Sequence, residues 1–110
     1  MRIFFHSTKL QRNLCEEVLL RRSFGAENAR RIRLRLALLE AAPTLADIPT
    51  TPPPRRHALT GPYEGCFAVD VLHPYRILIK PHLLPPPGRG KLVNPRKVTE
   101  VIILDVLDYH

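Results

Sequence analysis

The chain of 110 residues contains no tryptophan, one methionine and two cysteines. Aromatic residues account for 6% of it, whereas hydrophobic residues account for 45%, so the core must consist mainly of aliphatic side chains. The two cysteines, Cys15 and Cys66, do not make up a disulfide framework or a metal site. We expect both to be small buried hydrophobic residues.

Several sequence patterns that define functional classes are also missing. No apolar run is long enough for a signal peptide or a membrane helix, so we expect a cytoplasmic protein without a membrane partner. Histidine, cysteine and carboxylate residues do not occur at metal-binding spacing, which argues against a metal-dependent nuclease. The glycine pair Gly88 and Gly90 is too short a pattern for a phosphate-binding loop, and no serine or cysteine nucleophile motif is present. We therefore expect no cofactor.

Positive charge, in contrast, is abundant. Lysine and arginine number 17 against 10 aspartates and glutamates, which gives a net charge of +7. Residues 1–57 carry 11 basic and 5 acidic groups (+6), and residues 58–110 carry 6 and 5 (+1). Most of the basic residues are arginines, whose planar guanidinium groups suit phosphate. The charge indicates a polyanionic partner, either nucleic acid or an acidic protein, with a merely solvated basic face as the alternative.

The length predicts a single domain over residues 1–110. The first half of the chain has the pattern of one strand followed by two helices. The apolar run 1–5 predicts a strand, and Ser7 is a good N-cap for a helix over about 8–22. Gly25 predicts a break before a second helix over about 26–41. The apolar residues at helical spacing are Leu10, Leu14, Val18 and Leu19 in the first helix and Ala29, Ile32, Leu36 and Leu39 in the second.

Strands and proline-rich connections make up the second half. Short apolar runs predict strands near 56–59, 65–72, 75–81 and 98–107. The His73-Pro74 pair favours a tight turn, so the strands on either side of it should form a hairpin. Proline-rich segments at 42–55 and 81–95 connect the other elements. Helices first and a meandering sheet afterwards predict a two-layer α+β domain.

Four short motifs follow one another in the second half of the chain. They are His57-Ala58-Leu59-Thr60-Gly61, Gly65-Cys66-Phe67-Ala68-Val69-Asp70, Pro74-Tyr75-Arg76-Ile77 and the final Asp108-Tyr109-His110. This ordered set resembles the RelE/HigB-like toxins of bacterial type II toxin–antitoxin pairs, the plasmid maintenance system killer protein family. The resemblance implies a RelE-like fold of order β-α-α-β-β-β. Its two N-terminal helices would pack on one face of a small, mostly antiparallel sheet of about four to five strands, and the other face would form the active cleft.

The same resemblance implies a ribosome-dependent endoribonuclease that needs no metal ion. RNA supplies its own nucleophile, the 2′-hydroxyl, so an enzyme needs only a base, an acid and cations that stabilise the phosphate. By resemblance, His57 and His110 are the proton-transfer pair, with Asp108 and Tyr109 beside the latter. Arg76 is the candidate for stabilising transition-state charge.

Other basic residues are candidates for RNA binding. Arg56 is a second, weaker candidate for contacting the phosphate, and Lys80 is another basic residue that could bind RNA. In the second helix Arg30, Arg31, Arg33 and Arg35 indicate a surface for ribosomal RNA or for an acidic antitoxin segment, with a solvated face as the alternative. For Asp70, pairing with a basic neighbour is a better expectation than catalysis.

The resemblance names the partners as well: the ribosome, its mRNA and a cognate antitoxin, which we expect to have a helix-turn-helix. Two alternatives remain. One is a toxin of the same fold that inhibits DNA gyrase without nuclease chemistry. The other is a small basic nucleic-acid-binding module, which would require recognition-helix or aromatic signatures that the sequence lacks. The long proline-rich segment 81–95 departs from the family pattern and leaves the substrate preference open.

Overall fold

The computed structural model of the chain describes residues 1–88 and 92–108, and these residues form an α+β fold of two layers. In chain order the elements are β1 (Arg2–Phe5), α1 (Thr8–Cys15), α2 (Glu17–Ala41), β2 (His57–Ala58), β3 (Phe67–Asp70), β4 (Tyr75–Pro81) and β5 (Glu100–Asp108). Both helices pack against one face of a five-stranded, mostly antiparallel sheet. The predicted fold class is therefore confirmed.

Helix α1 begins as predicted but ends earlier. The Ser7 side chain accepts a hydrogen bond of 3.1 Å from the backbone N–H of Leu10, which satisfies one of the unpaired groups at the helix start. At Glu16 the backbone is extended (φ −93°, ψ 119°), so the helix stops there. Within α2, Gly25 has φ 79° and bends the helix, as its position in the sequence predicts.

The break at Glu16 changes which residues of the following segment face the core. Val18 is 67% exposed, whereas Leu20 is 1% exposed and packs with Leu14. The prediction that Val18 belongs to the apolar stripe is therefore wrong. Glu16 is neither glycine nor proline, and the apolar residues on both sides of it keep helical spacing. The sequence therefore predicts one continuous helix through this position. After Gly25, the predicted apolar stripe is confirmed: Ala29, Ile32 and Leu39 are buried, and Leu36 packs against them.

The strands lie in the order β1-β5-β4-β3-β2. Every neighbouring pair is antiparallel except β1 and β5, which run parallel. Strands β3 and β4 form the predicted hairpin around His73-Pro74, and Asp70 pairs with Arg76 next to the turn. An irregularity in the register at Leu78/Ile79 leaves Leu104 of β5 as an extra residue.

Side chains of opposite faces of the sheet build two apolar clusters. The larger one lies under the helices and includes Val69, Ile77, Ile79 and Ile103. The smaller one, made of Leu59, Cys66, Ala68 and Leu78, lies on the other face, which we call the open face. Cys66 is buried as predicted, but Cys15 is exposed, because it is the last residue of the shortened α1.

None of the helices formed by the described residues combines the length and the apolar character needed to cross a membrane.

Two leucines of α2 test this packing. Leu20→Ala should lower the free energy of unfolding by about 2–5 kcal/mol, because Leu20 is fully buried in the larger cluster. Leu34→Ala, in the same helix, should change it by only about 0.5 kcal/mol, because Leu34 is half exposed. Urea unfolding of both variants gives the comparison. Equal losses would contradict the helix phase described above.

Candidate active site

The hairpin end of the open face brings one carboxylate and two guanidinium groups together. Asp70 is the last residue of β3 and lies opposite Arg76 near the start of β4. Side chains alternate along a strand, so Asp70 shares a face with Ala68, and Arg76 shares a face with Leu78. Since Ala68 and Leu78 belong to the smaller cluster, both charged residues lie on the open face.

Asp70 binds both guanidinium groups. Arg55 donates from Nε to Oδ2 at 2.6 Å and from Nη2 to Oδ1 at 3.1 Å, while Nε of Arg76 lies 3.4 Å from Oδ1. The bidentate contact is a strong form of ion pair, and it raises the pKa of Arg55. The predicted pairing of Asp70 with a basic neighbour is confirmed. Two cations and one carboxylate leave this group with a net positive charge.

The backbone around Asp70 is held by the helix layer. Nε of Arg35 donates to the Asp70 carbonyl oxygen at 2.9 Å, and the N–H of Leu72 donates to Oδ1 of Asn28 at 3.0 Å. Arg35 is only 9% exposed, and this burial lowers its pKa. The prediction of an exposed RNA-binding arginine is wrong at this position, because Arg35 attaches α2 to the end of β3.

A small cavity opens between these groups. Its volume is about 230 Å³, and its walls include Arg55, Arg76, His73 and Tyr75 as well as Asp70. Arg55 enters the site from the proline-rich connector in a left-handed backbone conformation (φ 45°) that residues with side chains seldom adopt. Arg55 is not among the predicted site residues, because its contact with Asp70 depends on this backbone conformation, which local sequence does not indicate.

His57 lies on the same face as this group. It pairs with Ala68 across β2 and β3, and Nδ1 is 2.8 Å from the carbonyl oxygen of Arg55. Nε2 is buried and has no hydrogen-bond partner among the described residues. His57 is half-buried, and neighbouring side chains must move before a substrate can reach Nε2.

The end of β5 brings Asp108 to this end of the sheet but not to the open face. Asp108 pairs with Tyr75, whose ring packs against Phe24 on the helix side. The preceding residue, Leu107, pairs with Arg76 and lies on the open face. The other two predicted catalytic residues, Tyr109 and His110, lie outside the described residues. Of the predicted catalytic residues, His57 and Arg76 thus share the open face, and Arg55 joins Arg76 there through Asp70.

The other predicted RNA-binding residues differ in exposure. Arg56 donates from Nε to the carbonyl oxygen of Ile48 at 3.0 Å, and its guanidinium carbon lies 5.7 Å from the centre of the Phe67 ring. These contacts place Arg56 in the packing on the helix side, and burial lowers its pKa. Lys80 is exposed and pairs with Ile102 across β4 and β5, away from the hairpin end.

Helix α2 keeps an exposed basic surface, although carboxylates partly neutralise it. Arg30 donates to Glu27 at 2.8 Å and Arg31 donates to it at 3.0 Å, and these hydrogen bonds lower the pKa of Glu27 to about 2. Arg33 forms an ion pair with Glu17. The surface that we predicted therefore consists of Arg30, Arg31 and Arg33 without Arg35.

Two larger cavities lie away from the charged group. They have volumes of about 490 and 520 Å³ and share Glu64, Gly65, Cys66 and Val93. Both are lined mainly by apolar residues and lie where β3 begins. The smaller cavity is better suited to binding a phosphate, because two guanidinium groups line it.

Residues 1–88 and 92–108 contain no group of three or more His, Cys, Asp or Glu side chains that could hold a metal ion. The chain matches no protein-family model, and no curated protein is significantly similar to it in sequence.

A stability measurement tests the role of Asp70. Asp70→Ala should lower the free energy of unfolding by about 1–2 kcal/mol, because it leaves two partly buried guanidinium groups side by side without their carboxylate. We take the lower part of the usual range, since solvent screens Arg55. Glu100→Ala is the control: it removes an ion pair to the exposed Arg2 and should cost less than about 1 kcal/mol. Equal effects would show that Asp70 is an ordinary surface charge.

Proposed function

We propose that the protein is the toxin of a toxin–antitoxin pair and acts in the cytoplasm as a ribosome-dependent, metal-independent endoribonuclease on translated mRNA. The observation that carries this proposal is the pair of guanidinium groups, Arg55 and Arg76, held on Asp70 on the same face of the sheet as His57. The order of the sequence motifs, which resembles that of the RelE/HigB-like toxins, supplies the class of substrate.

Each group has a defined task in this reaction. The contact with Asp70 engages Nε of Arg76, and a guanidinium has five N–H donors, so donors remain for the oxygens of a phosphodiester. Binding the phosphate there stabilises the charge that develops when the 2′-oxygen attacks. His57 takes the proton of the 2′-hydroxyl. By the same family resemblance, His110 supplies the proton for the leaving oxygen.

The net charge of +7 supports two kinds of partner. The exposed arginines of α2 face outward from the sheet and can contact ribosomal RNA or an acidic segment of an antitoxin. The antitoxin of this proposal is a helix-turn-helix protein encoded next to the toxin.

Expression in bacteria tests the proposal as a whole. Induction should arrest growth, coexpression of the neighbouring open reading frame should relieve the arrest, and new mRNA 5′ ends should accumulate on ribosomes. Sequencing of RNA 5′ ends from ribosome-bound and free fractions is the measurement. Growth arrest without new 5′ ends would favour the gyrase-inhibiting alternative. Harmless expression would contradict the assignment as a toxin.

Replacement of His57 tests its catalytic task. His57→Ala should lower the rate of mRNA cleavage on saturated ribosomes by roughly 10²–10⁴, the usual contribution of one positioned base. The matched control is His82→Ala, because His82 stacks edge-to-face on Phe4 at a distant part of the sheet. The control should cleave at the wild-type rate. Cleavage by folded His57→Ala at the same rate would remove His57 from the mechanism.

The basic surface of α2 should contribute binding and not chemistry. Changing Arg30 and Arg31 to Gln removes two exposed charges and leaves the buried Arg35 in place. If both meet RNA phosphates, the slope of log affinity against log salt concentration should flatten by about 0.7 per lost contact. Filter binding to ribosomes across a salt series measures this slope. An unchanged slope together with failed neutralisation would assign the surface to the antitoxin.

A further inference from the structure

The contact between His57 and Arg55 determines which nitrogen of the imidazole carries the proton. Nδ1 of His57 lies 2.8 Å from the carbonyl oxygen of Arg55, and a carbonyl oxygen can only accept a hydrogen bond. Nδ1 must therefore carry the hydrogen in the neutral ring. It follows that Nε2 carries the lone pair, which is the form that a general base requires.

Burial of Nε2 favours the same form. Nε2 has no contact with solvent and no hydrogen-bond partner among the described residues. With the proton on Nε2, the N–H would have no acceptor in the described part of the chain and Nδ1 would present a lone pair to the Arg55 carbonyl oxygen, so both nitrogens would lack a hydrogen bond. Placing the proton on Nδ1 keeps one hydrogen bond and leaves the lone pair of Nε2 available to a substrate hydroxyl.

Hydrogen bonds of the Arg55 backbone and of its side chain hold the Arg55 carbonyl in place. Arg55 has a left-handed backbone (φ 45°), which costs about 1–2 kcal/mol for a residue with a side chain and so needs support from its surroundings. Its N–H donates to the carbonyl oxygen of Thr51 at 3.0 Å, and its guanidinium donates twice to Asp70. The N–H of Asp70 in turn donates to the carbonyl oxygen of Pro54 at 2.8 Å.

We propose that Asp70 is a positioning residue for His57: by holding Arg55, it keeps the Arg55 carbonyl on Nδ1 and leaves Nε2 as the proton acceptor. The effect on cleavage rests on the proposed function, whereas the effect on the ring does not. In the reaction, the 2′-hydroxyl proton moves to Nε2 and the 2′-oxygen bonds to phosphorus. The 5′-oxygen leaves with a proton from the acid. The imidazolium keeps its Nδ1–H bond to the carbonyl throughout.

The ring itself gives the first test, without any substrate. Long-range ¹⁵N–¹H correlation spectra of the free protein distinguish the two neutral forms of His57. The wild type should carry its proton on Nδ1. In Arg55→Met, which leaves the contact between Asp70 and Arg76 intact, and in Asp70→Asn, the form with the proton on Nε2 should become the major one. That form is the one an unconstrained imidazole prefers. The control Glu100→Gln, a carboxylate-to-amide change in the ion pair with Arg2, should leave the spectrum of His57 unchanged.

Three results would overturn the inference: a wild-type ring with its proton on Nε2, an unchanged ring in Arg55→Met, or an unchanged ring in Asp70→Asn when that variant is folded. Should Asp70→Asn fail to fold, the wild type and Arg55→Met still decide the matter. Line widths and dispersion of the backbone spectrum show whether each variant is folded.

Cleavage kinetics give the second test and separate the inference from the proposed function. In Arg55→Met, kcat on programmed ribosomes should fall about tenfold or more, because His57 loses its orientation. KM should rise as well, since Arg55 also lines the cavity that we assign to the phosphate. If the wild type is inactive but its His57 ring carries the proton on Nδ1, the proposed nuclease function is contradicted and the positioning role of Asp70 is not. An active wild type with the proton on Nε2 would contradict the positioning alone.

Discussion

One residue, Asp70, connects β3 to three other parts of the chain. It holds Arg55 of the proline-rich connector and Arg76 of β4, while its backbone groups bond to Pro54 and to Arg35 of α2. These contacts set the position of the hairpin end relative to both the helix layer and β2. The open face can present two guanidinium groups on the same face as His57 because Asp70 binds both of them.

Much of the fold could be predicted because it follows from local patterns. The strand predicted over 75–81 agrees with Tyr75–Pro81, and both the hairpin at His73-Pro74 and the bend at Gly25 follow from residues with restricted or unusual backbone freedom. The end of α1 at Glu16 could not be predicted, because neither glycine nor proline marks it. That one break shifts the helix phase, so that Leu20 is buried and Val18 is exposed.

The site was harder to predict than the fold, since its geometry depends on contacts between residues far apart in sequence. Pairing of Asp70 with a basic neighbour was expected from its place in a strand, but its main partner, Arg55, required a left-handed backbone. The sequence predicts Arg35 on the surface with the other arginines of the helix. The number and spacing of these arginines do not show that one of them donates to the carbonyl oxygen of Asp70 in another element. Placement of Asp108 on the helix side of β5 depends on strand register, which the sequence alone leaves open.

The proposed reaction requires the cationic group at the hairpin end to act on the phosphate of RNA. The most direct measurement is the rate at which Arg76→Ala cleaves ribosome-bound mRNA, compared with wild type and with Arg2→Ala, which removes an arginine of the exposed ion pair on β1. Asp70 keeps Arg55 as a partner, so the Arg76 variant should fold. We predict a loss of about 10²-fold or more for Arg76→Ala and wild-type cleavage for Arg2→Ala. Unchanged cleavage by folded Arg76→Ala would contradict the account.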